Sequence, residues 1–160
     1  MRKAILFLSA FLLLFACGCT KNDNASGDKG SNDPGIEKLY EAAKQNMDTE
    51  IMTDESDPEM INTFFEITKD NYEEFKFAMP NTNIQVSQIV IVKAKEGNLD
   101  AVKKGIKSYL DNNLEIFSSY LADQYELLKK AEFFEKDNYS ILLVGEGADK
   151  AKDAILNEFK

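Results

Sequence analysis

The chain has 160 residues, which is enough for one domain, and its 28 acidic and 19 basic residues give a formal net charge of −9. This surplus of negative charge disfavours nucleic acid and anionic lipid headgroups as main partners. The chain has no histidine, and its two cysteines are Cys17 and Cys19. The part that follows them therefore lacks thiolate and imidazole metal ligands, disulfides and the commonest general base. We expect no cofactor, no metal site and no enzymatic activity.

The first nineteen residues have the pattern of an export signal. Arg2 and Lys3 form a positive start, and residues 4–15 form an apolar run that is too short to cross about 30 Å of hydrocarbon as a helix. Leu14-Phe15-Ala16-Cys17 follows directly and resembles the bacterial lipobox, in which the cysteine thiol takes a diacylglyceryl group and a peptidase cuts before it. We therefore predict a lipoprotein signal peptide over residues 1–16 and lipidation at Cys17.

Cys19 is the alternative lipid acceptor, although its own box has alanine where leucine is preferred. An uncleaved anchor or an ordinary signal peptide is the other interpretation of the segment. Two acyl chains of the palmitate type hold a protein stably at a bilayer, because each buried CH₂ contributes about 0.8 kcal/mol. The sequence thus predicts a protein that is attached by its N-terminal lipid to the extracytoplasmic face of the cell membrane. Removal of Arg2 and Lys3 with the signal leaves 17 basic and 28 acidic residues, a net charge of −11.

Residues 17–35 are predicted to be a disordered tether. From Thr20 to Gly35 the chain consists mainly of Lys, Asn, Asp, Ser and Gly, without a large apolar residue that could bury a core. A flexible segment of about sixteen residues has an r.m.s. reach of roughly 20–25 Å. We therefore expect the globular part, residues 36–160, to lie just above the bilayer.

The globular part begins with a predicted helix and an acidic stretch. Asp33 is expected to be the N-cap residue of this helix and Pro34 its first helical residue. Apolar residues then recur at helical spacing as far as Met47. Residues 48–59 are rich in Asp and Glu, but their spacing does not fit an EF-hand. We interpret them as a solvated connection.

Four strands are predicted after this connection. Tyr72 to Met79 alternates apolar and polar residues, which is typical of a strand with one buried face. Ile84 to Lys95 contains the run Ile89-Val90-Ile91-Val92, which is apolar on both faces and indicates the central strand. Phe133-Phe134 and Tyr139 to Val144 are expected to form a hairpin around a short turn.

Helical spacing of apolar residues predicts further helices over residues 99–117, 121–130 and 148–159. Gly105 weakens the first of these by about 1 kcal/mol relative to alanine. Strands that are joined by tight turns pair in antiparallel fashion. The sequence therefore predicts an α+β domain with a single antiparallel sheet of about four strands and helices packed on one face.

Lys93 and Lys95 at the end of the central strand are a candidate contact for an anionic group. Solubilising charge at a strand end is the plainer interpretation. The turn Gly145-Glu146-Gly147 precedes a helix, but Glu146 disfavours an anion there. No spacing places two carboxylates across a cleft, so a glycosidase-type pair is not predicted.

The domain from Ile36 onward resembles the DUF4358 family of Gram-positive bacterial lipoproteins. The resemblance rests on Met47 near the end of the first helix, Met79-Pro80 before the central strand, Tyr120 after the long helix, and the late apolar strand. The family has no known activity. The resemblance therefore implies an α+β fold and a lipid anchor, and it transfers no site residue.

Two main functional hypotheses follow. The first is a non-enzymatic, lipid-anchored extracytoplasmic domain that binds a protein or a cell-envelope component. The second is a lipoprotein that captures a small molecule or solute, for which a pocket of several hundred Å³ with converging polar groups would be the mark. An enzyme that acts on wall material through carboxylates alone is a third, and it requires two facing carboxyl groups.

Overall fold

The computed structural model describes residues 33–160. The predicted signal peptide, the candidate lipid acceptors Cys17 and Cys19, and most of the tether lie outside the described residues. None of the helices in the described range has the length and apolar character that are needed to cross a bilayer.

Five helices and five strands make up the described range. The helices are α1 (Ile36–Lys44), α2 (Pro58–Phe65), α3 (Leu99–Phe117), α4 (Ala122–Lys129) and α5 (Ala148–Glu158). The strands are β1 (Met52–Glu55), β2 (Tyr72–Pro80), β3 (Gln88–Ala94), β4 (Glu132–Lys136) and β5 (Tyr139–Val144).

The five strands form one antiparallel sheet in the order β1-β2-β3-β5-β4. The predicted α+β class and the single antiparallel sheet are therefore confirmed. β3 and β5 lie side by side, and Ile91 is paired with Ile141 in their register. Strands whose residues are apolar throughout are buried on both faces, so they belong at the centre of a sheet.

The sheet has five strands where about four were predicted, and the additional strand β1 lies within the acidic stretch 48–59. β1 pairs with β2 from Met52 opposite Pro80 to Glu55 opposite Phe77. An edge strand has one partner and tolerates charged side chains, so it needs no apolar pattern of its own. The sequence of β1 is therefore too acidic to show the apolar pattern by which a strand is predicted.

The prediction that helices pack on one face was also wrong, because they cover both faces of the sheet. α2, α3 and α4 pack with Val90 and Leu142, while α1 and α5 pack with Ile89 and Ile141. Successive side chains of a strand point to opposite faces. A strand that is apolar at every position must therefore be covered on both sides, and two helical layers do this.

The start of α1 differs from the prediction as well. The helix begins at Ile36 with Gly35 as its N-cap residue, and no side chain caps it. The carboxylate of Asp33 instead accepts a hydrogen bond from the Gly35 N–H at 2.9 Å and contacts side chains of the sheet. Asp33 and Pro34 therefore precede α1, because partners in the sheet hold the Asp33 carboxylate.

Candidate functional site

A groove lies at one end of the sheet, where the β2–β3 connection faces α3. On the helical side it is lined by Phe64, Tyr109, Phe117 and Tyr120, and on the other side by residues 81–83 and Gln85. We call it the α3 groove. Its volume of about 670 Å³ lies within the range of small-ligand sites, about 300–1,000 Å³.

The β2–β3 connection is held in place by hydrogen bonds at both ends. The Asn81 N–H donates to the Ile51 carbonyl at 2.9 Å. The Val86 N–H donates to Oε1 of Gln124, a buried side chain of α4, at 3.1 Å. Because this amide takes the Val86 N–H, β3 begins at Gln88 rather than at residue 84 as predicted. Residues 81–83 and Gln85 therefore form a wall of the groove, and the strand does not extend to them.

Aromatic rings form the floor of the groove on the helical side. The Tyr109 ring packs against Phe65, with 4.8 Å between ring centroids, and against Phe64 at 6.3 Å. The Tyr120 ring lies 6.4 Å from Phe117. Such edge-to-face contacts fix ring positions. Burial raises the pKa of Tyr109, an effect that the neighbouring amides of Asn113 and Gln88 oppose, so its hydroxyl stays protonated.

Two of the three large apolar side chains that stand most exposed within residues 33–160 line this groove, and the third is next to lining residues in sequence. Ile116 is 61% exposed and Tyr120 is 64% exposed, and both line it. Ile84 is 47% exposed and lies between the lining residues Asn83 and Gln85. Exposed apolar side chains that cluster mark interaction sites, whereas scattered ones are ordinary.

The lining of the α3 groove carries no charge. Although 29% of the chain is Asp, Glu, Lys or Arg, none of the twelve residues along the groove is of these types. Asn81, Asn83, Gln85 and Asn113 supply its polar groups instead, together with Thr82. The groove therefore favours an uncharged partner.

Two of these amides leave groups for a ligand. The Asn81 side-chain oxygen accepts a hydrogen bond from the Thr53 hydroxyl, which leaves the Asn81 NH₂ as a donor. The Asn113 NH₂ donates to the Tyr109 carbonyl at 2.9 Å, which leaves the Asn113 oxygen as an acceptor. A carboxamide offers both functions, so the groove presents donors and acceptors side by side.

The structure does not bring Lys93 and Lys95 into one site. Lys93 Nζ lies 2.8 Å from Oδ2 of Asp33 and 3.2 Å from Oε2 of Glu73. The hydrogen bond that Lys93 donates to Asp33 is the main cause that raises the pKa of Lys93, and burial opposes it. Lys95 Nζ donates to the Lys69 carbonyl at 2.5 Å. The anion contact stays a prediction, and Lys93 already has two carboxylate partners.

Lys93 belongs to one of two similar clusters on the α1 side of the sheet. Tyr139 donates its hydroxyl proton to Asp33 at 2.8 Å, and Tyr40 donates to Asp54 at 2.8 Å. Burial, followed by the adjacent carboxylate, raises the pKa of both tyrosines. Neither hydroxyl is therefore ionised at neutral pH. The first cluster links the start of the described domain to β3 and β5. The second cluster links β1 to α1.

Other candidates from the sequence have structural explanations. A Cβ atom at Gly147 would lie 2.0 Å from the Asn46 carbonyl oxygen, so this glycine lets α5 approach the end of α1. Within residues 33–160, no three side chains of His, Cys, Asp or Glu are grouped to hold a metal ion.

The sequence pattern assigns no role to the residues that line the groove. Its lining residues are far apart in the chain, and each belongs to an element whose own pattern is explained by the core. The available signal was the position of Ile116 and Tyr120. These two large apolar side chains lie at the end of α3 and just beyond it, and both are exposed.

Comparison with known proteins gives one match. A family model described as a domain of unknown function, DUF4358, matches residues 45–145. The matched range runs from the end of α1 to the end of β5 and includes every residue that lines the α3 groove. No curated protein and no solved structure matches the chain.

Proposed function

The chain belongs to the DUF4358 family, a domain of unknown function, and on that premise we propose that it is a non-enzymatic, lipid-anchored extracytoplasmic domain that binds a protein or a cell-envelope component. The α3 groove is the binding surface in this proposal.

The support for the anchor is the position of Cys17. It follows an apolar segment of signal-peptide length at the end of a lipobox-like Leu14-Phe15-Ala16-Cys17. A diacylglyceryl thioether at this cysteine gives two acyl chains, which is the number that stable anchoring takes. The tether of residues 17–35 then places the domain in front of the membrane at its extracytoplasmic face.

The observation that carries the binding function is the uncharged groove that is lined by the exposed side chains of Ile116 and Tyr120. Exposed aromatic and aliphatic side chains are costly to leave in water, and a partner that covers them recovers this free energy. Neighbouring amides fix the orientation of whatever binds. The arrangement fits recognition better than chemistry, since none of the residues that line it is Asp, Glu, Lys or Arg.

Capture of a small solute is the second candidate, and the volume of the groove favours it. About 670 Å³ with apolar side chains and converging amides meets the criterion for a small-molecule site. The exposure of Ile84 argues for a longer partner, because this side chain is not among the residues that line the groove.

The anchor is tested by growing cells that express the full chain with an alkyne-bearing palmitate and by detecting the label on the purified protein. We expect labelling of the wild type and of Cys19→Ala, and loss of labelling with accumulation of precursor in Cys17→Ala. Labelling that survives in Cys17→Ala and disappears in Cys19→Ala would move the lipid to Cys19. A wild type that never takes the label would refute the anchor.

The binding surface is tested by photo-crosslinking on intact cells. A benzophenone amino acid replaces Tyr120 in the groove or, as the control, Lys150, which is exposed on α5 at the opposite face. We expect one defined crosslinked species from position 120 and none from position 150. Equal crosslinking from both positions, or none from position 120, would contradict the assignment of the groove.

A further inference from the structure

We propose that the α3 groove binds a neutral glycan strand of the cell envelope. The inference rests on the proposed function and specifies the envelope component. It is argued from the charge, the hydrogen-bonding groups, the exposed rings and the length of the groove.

The lack of charge in the groove selects an uncharged ligand. The whole chain has a net charge of −9, so an anionic polymer is repelled at long range and finds no Lys or Arg along the groove. A cationic partner finds no carboxylate there either. Charged groups commonly set register and orientation at protein–protein interfaces, and this groove has none. A neutral polymer is the partner that its lining fits.

The amides of the groove match a ligand rich in hydroxyl groups. A hydroxyl group donates one hydrogen bond and accepts others, and a carboxamide does the same in a fixed plane. Within residues 33–160, the NH₂ of Asn81 and the side-chain oxygen of Asn113 have no hydrogen-bond partner and provide one function each. Asn83 and Gln85 add two further carboxamides along the same wall. Such a wall suits the closely spaced hydroxyl and acetamido groups of a sugar chain.

The aromatic side of the groove matches the other property of sugars, their C–H faces. A pyranose ring has a face of C–H groups that packs on an aromatic ring by dispersion and burial of apolar surface. Tyr120 is 64% exposed, and its ring packs against Phe117 with 6.4 Å between the ring centroids. A ring that is both supported and exposed is a ready platform, because little conformational entropy is lost when a ligand covers it.

The extent of the apolar surface indicates a strand rather than a single sugar. Ile116 and Tyr120 line the groove, whereas the exposed Ile84, next to the lining residues Asn83 and Gln85 in sequence, is not among its lining residues. A ligand that covers all three must continue beyond the 670 Å³ of the groove. A glycan of the envelope also lies where a lipid-anchored domain with a tether would meet it.

The test is isothermal titration of the full chain in detergent micelles with β-1,4-linked hexasaccharides of glucose and of N-acetylglucosamine, and with the two monosaccharides. We expect at least one hexasaccharide to bind, and to bind more tightly than its monosaccharide. Tyr120→Ala and Asn113→Ala should each weaken binding by about tenfold, as removal of a central contact does. The control Asn62→Ala, on the exposed side of α2 and outside the groove, should stay within about twofold of wild type.

Several results would overturn the inference. One is a folded wild type, verified by circular dichroism, that binds neither hexasaccharide. A second is binding that survives both groove variants, and a third is a monosaccharide that binds as tightly as its hexamer, which would indicate a free solute. Self-association that Tyr120→Ala abolishes would assign the groove to a second copy of the chain, and a protein crosslinked at position 120 would assign it to a protein partner. Palmitate labelling is independent of all these results, so the anchor and the glycan can fail separately.

Discussion

Asp33 joins the start of the described domain to the sheet. Its carboxylate accepts hydrogen bonds from the Tyr139 hydroxyl at 2.8 Å and the Gly35 N–H at 2.9 Å, and Lys93 Nζ lies 2.8 Å away. Burial disfavours the charged form of Asp33 and is the largest single influence on its pKa. The bonds from Lys93, Gly35 and Tyr139 together outweigh it and hold the pKa of Asp33 below its ordinary value of 3.8.

We predict that Asp33→Asn lowers the free energy of unfolding at pH 7 by about 1 kcal/mol. The pKa of Asp33 is lower in the folded than in the unfolded state. The carboxylate of Asp33 therefore contributes its full stabilisation when the pH is above the ordinary carboxyl pKa. This contribution disappears as the pH falls through the lower pKa that Asp33 has in the folded state. The variant should lose less stability than the wild type between pH 7 and pH 3. Urea unfolding of the full chain at both pH values measures this.

The exposed Asp70→Asn is the matched control for Asp33→Asn, because it removes one carboxylate without these partners. It should keep the stability and the acid response of the wild type. If Asp33→Asn and Asp70→Asn behave alike at both pH values, the cluster around Asp33 does not stabilise the fold.

At the scale of elements, α3 packs closely against the end of α2. A Cβ atom at Gly105 would lie 2.2 Å from the Phe65 carbonyl oxygen and 3.0 Å from Ile67. By helix propensity alone, this glycine weakens α3. In the structure it is required, because only a residue without a side chain lets the two segments approach this closely.

We predict that Gly105→Ala destabilises the protein by about 1–3 kcal/mol, because the added methyl group forces the backbone of α2 away from α3. Helix propensity alone gives the opposite sign, a gain of about 1 kcal/mol. Thermal or urea unfolding decides between them. Ser108→Ala, at an exposed position of the same helix, is the control and should be neutral or slightly stabilising. A Gly105→Ala variant that is more stable than wild type would contradict the close contact.

At the scale of the whole molecule, two separate cores lie on the two faces of one sheet. Val90 and its neighbours pack under α2, α3 and α4, while Ile91 and its neighbours pack under α1 and α5. Both side chains are fully buried. An architecture with helices on a single face would leave Ile91 in solvent.

We predict that Ile91→Ala lowers the free energy of unfolding by about 2–5 kcal/mol, as truncation of a buried isoleucine does. Val90→Ala should also be clearly destabilising, because its face is equally covered. Ile84→Ala, in the β2–β3 connection, is 47% exposed and should cost far less. Urea unfolding of the three variants measures the differences. An Ile91→Ala variant as stable as Ile84→Ala would contradict the second helical layer.

The local sequence pattern was sufficient to predict the two central strands and the main helices of the domain. The unbroken apolar runs at residues 89–92 and 141–144 indicated the two central strands, and helical periodicity indicated α1, α3 and α5. These signals depend on neighbours in the chain, because the backbone alone sets periods of 2 and 3.6 residues. The lipobox at Cys17 is a chemical motif of the same local kind, and it stays a prediction.

Tertiary structure decided what depends on residues far apart in the chain. β1 forms because it pairs with the edge of β2. Asp33 does not cap α1, because its carboxylate contacts Lys93 and Tyr139 instead. The α3 groove combines residues from 64 to 120 that share no local pattern. Such features arise only when packing brings distant segments together, and the free energy of those contacts is absent from any window of sequence.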